Sequence, residues 1–220
     1  MFRKFKVFFS RKFRDKFSKV ISRKDIELLR DKKFVIISDD CWGGSLYSWY
    51  NRPYNSPFVG LFLYGPCYMK LLSKFEYYMK QELKFIEVSK YKDRFKDYPV
   101  ALLDDVEVHF LHYSSEDEAR IKWERRTSIM LEEKNIDNYF FKICDRERAL
   151  KEHLIAFHDL PFKNKVSFAI KDYSELKEKN HIKMLESYKN RNERVHNGKK
   201  VFKLTFLYLN LNKWLLNDVY

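Results

Sequence analysis

Apolar side chains recur at steps of three and four from the first residues of the chain: Phe2, Phe5, Phe9, Phe13, Phe17 and Val20. That period lines one stripe of an α-helix. From Phe34 onward the pattern changes, and short β-branched or aromatic runs alternate with longer helical ones. The alternation predicts a three-layer α/β/α sandwich around a central, mainly parallel or mixed sheet, with residues 34–220 as one domain and residues 1–33 as a basic amphipathic appendage.

Strands are expected at Phe34 to Ser38, Leu83 to Val88, Val100 to Leu103, Val106 to Tyr113, Tyr139 to Ile143 and Val166 to Ile170, with Pro57 to Tyr64 extended. A helix is expected after Pro66, which suits a first helical turn, with Leu71, Leu72, Phe75, Tyr78 and Met79 as its apolar face. Ser115 and Glu118 form a capping box that predicts a helix to about Glu133. A further helix carries Leu150, His153, Leu154 and Phe157 until Pro161 stops it. Asn197-Gly198 reads as a turn leading into a strand from Val201 to Leu207.

Composition narrows the class. Gly and Pro number only five each while 45% of residues are hydrophobic, so a folded core is expected rather than disorder. Three cysteines, Cys41, Cys67 and Cys144, with no short-spaced pair, indicate neither a disulfide framework nor a zinc ribbon, and they assign no metal site. No long uncharged apolar run and no signal-peptide pattern are present, so a cytoplasmic protein is expected, peripheral to the inner face of the membrane.

Charge is concentrated at one end. Residues 1–33 hold thirteen Lys or Arg against four Asp or Glu, a net +9 of the chain's +13. Lys4, Lys6, Arg11 and Lys12 interleave with Phe2, Phe5, Phe9 and Phe13, a combination that suits an anionic membrane surface reached through residues 1–24. The competing reading packs the Phe stripe on the domain and leaves the cations in water. Nucleic acid is not expected, because no base-reading signature follows.

Two stretches carry candidate chemistry. Asp39-Asp40-Cys41-Trp42-Gly43-Gly44 follows a strand and precedes a helix, an arrangement that turns backbone N–H groups toward an anion. It lacks the Lys of a Walker loop and the spacing of a dinucleotide fingerprint. The alternative is a tight turn anchored by Trp42. His112 and Tyr113 end a strand just before a capped helix, and ligands bind at such strand edges in open α/β sheets. If the strands are neighbours, His112 can serve as general base and Asp39 or Asp40 can hold a sugar hydroxyl or a metal. His112 can equally be a structural hydrogen-bonder. Arg125 and Arg126 can reach a diphosphate or simply face solvent. Cys41 with His112 invites a thiol-nucleophile reading, for which no orienting third residue is apparent.

The order of these motifs adds to their chemistry. Ile37-Ser-Asp-Asp-Cys-Trp-Gly-Gly-Ser-Leu-Tyr47, Ser56-Pro-Phe58, Tyr98-Pro-Val100, Phe110-Leu-His-Tyr113 and Glu118-Ala-Arg-Ile-Lys-Trp-Glu-Arg-Arg126 together resemble a bacterial family of unknown function, number nineteen-nineteen. Its members are commonly labelled exopolysaccharide biosynthesis proteins, and the resemblance spans about residues 34 to 170. It implies a three-layer α/β fold and a role in capsule or other surface polysaccharide, and it carries no catalytic residues. Many such relatives have Asn at Asp39 or Asp40, so the resemblance does not require both carboxylates as metal ligands.

The expected function is a transferase, glycosyltransferase-like, taking an activated sugar or nucleotide sugar to a membrane-associated acceptor. Loop amides and an Arg would hold the leaving diphosphate, Trp42 would stack on a sugar, and His112 or Asp39 would take the acceptor's proton. Acyl or phosphoryl transfer to a sugar, and a non-catalytic membrane-surface module of the polysaccharide machinery, are the alternatives. No cofactor is indicated.

Overall fold

A computed structural model of the chain describes residues 9, 12, 14, 16–91, 97–185 and 194–217. Four strands form a parallel sheet in the order β1 (Val35–Ser38), β5 (Tyr139–Cys144), β6 (Asn164–Ala169), β7 (His181–Lys183). Val35 pairs with Tyr139, Phe140 with Asn164 and Ser167 with His181. Both faces of this sheet are covered, which is why its central strands read as nearly continuous apolar runs. Val35, Ile37, Phe141 and Ile143 point into one core, and Ile36, Phe140, Val166 and Phe168 into the other.

The second core is closed by three helices. They are α2 (Trp42–Trp49), α7 (Gly198–Thr205) and α8 (Leu211–Leu216), which bury Trp42, Leu46, Val201, Leu204 and Trp214. The first core is closed by α3 (Gly65–Ser73), the short α4 (Phe75–Tyr78), α5 (Glu116–Glu132) and α6 (Lys151–Asp159). The expected layers are therefore present. The antiparallel strands do not join the central sheet: β2 (Leu83–Phe85), β3 (Val100–Leu103) and β4 (Val106–His109) form a sheet of their own beside the first core.

Helix starts follow the local signals. Pro66 sits in the first turn of α3. Ser115 accepts the Glu118 N–H at 3.1 Å at the start of α5, whose first turn is acidic. The Glu118 carboxylate goes one residue further than a capping box predicts, accepting from the backbone and hydroxyl of Ser114. The strand expected at Val201 to Leu207 is a helix instead. Asn197 accepts the Lys200 N–H at 3.1 Å and caps it, and Val201, Leu204 and Thr205 are buried at the helical period.

Two connections set up the site. Beyond β4, the segment around Phe62 pairs with His109 in an antiparallel bridge, and the Gly60 carbonyl accepts the His112 N–H at 2.9 Å. The expected strand through Tyr113 thus ends at His109 and continues as a turn held against residues 59–60. In addition, the Leu63 N–H donates to the Asp39 carbonyl at 3.0 Å, which ties this segment to the end of β1.

The first described helix, α1 (Ser18–Leu28), lies on α2 and α8. Of the proposed membrane-facing residues, Phe9 and Lys12 are exposed, whereas Phe2, Lys4, Phe5, Lys6, Arg11 and Phe13 lie outside the described residues. Among the described residues no helix is long and apolar enough to cross a membrane.

Candidate anion site

A cavity of about 350 Å³ opens where α2, α5, the start of α7 and residues 59–60 meet. Cys41 and Gly44 line it from the start of α2, His112 and Tyr113 from the turn after β4, and Arg126 from α5. The glycine-bearing turn and the imidazole-bearing strand end therefore share one concavity. Ser45, Ser48 and Tyr54 add hydroxyls, and Lys122 and Lys199 add cations. None of the lining residues is acidic.

Arg126 is the centre of this arrangement. It is only 6% exposed, yet the cation forms no ion pair with a carboxylate among the described residues. Its Nη1 donates to the Tyr113 hydroxyl at 2.7 Å and to the Val59 carbonyl at 3.3 Å, while its Nε is buried without a partner among the described residues. The guanidinium lies 5.0 Å from the centre of the Tyr54 ring. A buried cation held only by neutral groups is costly to keep, so the pocket is electrostatically complementary to an anion.

The neighbouring groups are tuned in the same direction. Partial burial and then the Lys199 charge hold the His112 imidazole below its ordinary value, so it is neutral near pH 7 and able to take a proton. Burial pushes the Tyr113 phenol up against the pull of Arg126, so the hydroxyl keeps its proton and donates to the Val59 carbonyl at 2.6 Å. Burial and then Asp40 push the Cys41 thiol up to about 11, the wrong direction for a thiolate nucleophile.

The other residues singled out in the sequence have different roles. Trp42 is fully buried, donates Nε1 to Thr205 Oγ1 at 3.0 Å, and packs on Phe168, Phe202 and Trp214, so it anchors the core and cannot stack on a sugar. Gly43 lets α2 cross the sheet closely: a Cβ there would lie 3.1 Å from Ile36 Cγ2 and 3.2 Å from Ser38 Cβ. Arg125 is exposed and does not line the cavity.

Asp39 and Asp40 are buried behind the cavity wall. Lys142, with no exposed surface, sets its Nζ 2.8 Å from Oδ1 of each. Asp39 Oδ2 also accepts the Cys144 N–H at 3.0 Å, and Asp40 Oδ1 accepts the Trp42 N–H at 3.0 Å where α2 begins. Burial works against the Lys142 ammonium, but the two carboxylates outweigh it and hold it well above its ordinary value. Burial pushes Asp39 up to about 6 against the opposing pull of Lys142. The ligating atoms of Asp39, Asp40 and Cys144 lie within 4.8 Å of one another. The ammonium already sits between the two carboxylates, and burial keeps the Cys144 thiol protonated. The donor set does not fit a metal ion, and Asp39 has no path to an acceptor proton.

Lys199 and Tyr54 went unnoticed in the sequence. The signal for Lys199 was Asn197, a helix cap read as a turn. Gly198 presses against the capping turn of α2, where a Cβ would lie 2.5 Å from Asp40 Oδ1, and this close approach carries Lys199 to the cavity.

Comparison with known proteins places these residues in a wider group. Residues 12–215 match the profile of a family described as Domain of unknown function (DUF1919). A protein of Haemophilus influenzae, described as uncharacterized, is 37% identical over 158 residues, 72% of each chain.

Proposed function

The chain belongs to the family Domain of unknown function (DUF1919), and from that premise we propose that it is a transferase of surface-polysaccharide assembly that holds the phosphate of an activated sugar in the basic cavity. One observation carries the reading: the buried Arg126 guanidinium has neutral partners only, in a cavity that also gathers Lys122, Lys199 and His112. Phosphate oxygens would accept from the guanidinium and the lysines, and the leaving diphosphate would be stabilised as its charge develops.

His112 would take the proton of an acceptor hydroxyl. The acceptor oxygen then bonds to the anomeric carbon, the bond from that carbon to the donor phosphate breaks, and the diphosphate leaves with the electron pair. Tyr54, 37% exposed and under the guanidinium, offers a ring face for a sugar or base in place of Trp42.

Thermal denaturation with uridine diphosphate, uridine diphosphate glucose and glucose tests the reading, since a ligand bound to the native state raises apparent stability. The two phosphate compounds are expected to raise Tm and glucose to leave it unchanged, with the effect lost in Arg126→Met. An equal shift in that variant, or none in the native chain, rejects the assignment. Binding without sugar transfer to any hydroxyl acceptor would favour the non-catalytic module.

A further inference from the structure

Helix α1 meets the domain through a face that mixes polar and apolar side chains. Asp25 accepts from Trp49 Nε1 at 2.8 Å and from Asn212 Nδ2 at 2.7 Å. Upstream, the Arg14 guanidinium lies 4.2 Å from the Trp49 ring centre and 4.5 Å from that of Phe206. Ser18, Ile21, Ser22, Asp25 and the buried Leu29 follow at the helical period along this inward side.

The outward side is apolar and cationic together. Val20 is 54% exposed and Phe9, further upstream, 58%. Lys16, Lys19, Arg23 and Lys24 are exposed around Val20. Glu27 is also outward and is paired with Arg30. The inward side takes Ile21 and the buried Leu29, while Val20 and Leu28, 56% exposed, stay outside. Here the polar contacts of Asp25 and Arg14 hold the opposite face against the domain.

Apolar side chains interleaved with cations on an exposed helix match the boundary of an anionic bilayer, where the former enter the acyl edge and the latter meet headgroup phosphates. A nucleic acid would use the cations and leave Val20 and Phe9 in water. We infer that the outward face of α1 and the exposed residues before it bind an anionic lipid surface, with Val20 and Phe9 at the acyl boundary and Lys16, Lys19, Arg23 and Lys24 against the headgroups. The surface is independent of the cavity assignment, because no cavity-lining residue belongs to α1.

Co-sedimentation of the full chain with phosphatidylcholine vesicles, and with vesicles that also contain phosphatidylglycerol, tests this. Binding is expected only to the anionic vesicles. The Lys16→Ala/Lys19→Ala variant should bind them about 30-fold more weakly, roughly fivefold per cation. Val20→Ser should weaken binding at unchanged charge, and both variants should keep the native circular dichroism spectrum and Tm. Equal pelleting of native and variant chains, insensitivity to Val20→Ser, or tighter binding to a DNA duplex than to the vesicles would overturn the inference.

Discussion

Arg126 Nη1 lies 2.7 Å from the Tyr113 hydroxyl, and that hydroxyl in turn donates a hydrogen bond to the Val59 carbonyl 2.6 Å away. The guanidinium is thereby aimed by two neutral acceptors while its charge is left for a ligand. Arg126 and Tyr113 are thirteen residues apart, one on a helix and the other on the turn before it, and residues 59–60 join them.

Arg126→Met separates ligand binding from stability. Removing a buried cation without a carboxylate partner should change folding stability by no more than about 1 kcal/mol, in either direction. Binding of uridine diphosphate should fall by 2 kcal/mol or more, about 30-fold, because a charge-assisted contact is lost. Urea denaturation and titration calorimetry on the same variant check both halves.

Gly60 holds φ at +81°, and a Cβ there would lie 3.0 Å from Tyr113 Cε2. Gly60→Ala should therefore cost roughly 1–2 kcal/mol of stability, since L side chains resist this backbone region. It should also displace the Tyr113 ring and weaken phosphate binding. Urea midpoints read the first effect and tyrosine-sensitive near-ultraviolet circular dichroism the second.

Lys142→Met should be among the most damaging single changes. It leaves Asp39 and Asp40 buried without their shared cation, at a cost of about 3–5 kcal/mol. Adding Asp39→Asn and Asp40→Asn should recover part of that loss. Chemical denaturation of the single and triple variants checks the recovery.

A hydrogen-bonded chain on the other side of β6 predicts acid sensitivity. His181 Nε2 lies 3.1 Å from the Lys171 carbonyl, which can only accept, so His181 Nδ1 is left to accept from Ser167 Oγ at 2.8 Å. Ser167 then accepts from His158 Nε2 at 2.8 Å, and both rings are neutral. Burial holds both imidazoles down, His158 to about 4. Below about pH 6.5 the unfolded chain protonates imidazoles that stay neutral in the fold, so the contribution of His158 and His181 to stability should fall as pH drops from about 6.5 to 4, opposite in sign to that of Asp39. Unfolding curves of the native chain and of His158→Gln should therefore diverge across that range, the native chain losing more stability toward pH 4 than the variant.

Cys41 should alkylate slowly despite lining the cavity. A thiol pushed up to about 11 carries on the order of a hundredfold less thiolate near neutral pH than an ordinary cysteine. Iodoacetamide kinetics against free cysteine measure the ratio, and a rate above that of the free thiol would revive the nucleophile reading.

Much of the architecture follows from residue patterns that act locally. The β-branched run at Val35 to Ile37, Pro66 at a helix start and the Ser115 cap each specify an element through backbone sterics or one short hydrogen bond, so they were legible in order along the chain. Asn197 was legible too as a polar residue before Gly198, but a turn and a helix cap use the same side chain. The burial of Val201 and Leu204 against Trp214 and Phe168 decides between them.

The site divides along the same line. Cys41, Gly44, His112, Tyr113 and Arg126 were all readable as candidates in the sequence, and the coordinates bring these five to one cavity, while Asp39, Trp42 and Arg125 do not line it. Whether Trp42 faces a ligand or the core, and whether Asp39 meets solvent or Lys142, depends on contacts more than 100 residues away in sequence, such as Lys142 to Asp39 with a separation of 103. Local sequence sets backbone preference and side-chain chemistry. Only packing between distant segments decides which polar groups are desolvated, and desolvation is what leaves Arg126 as a buried cation with neutral partners and makes Asp39 structural.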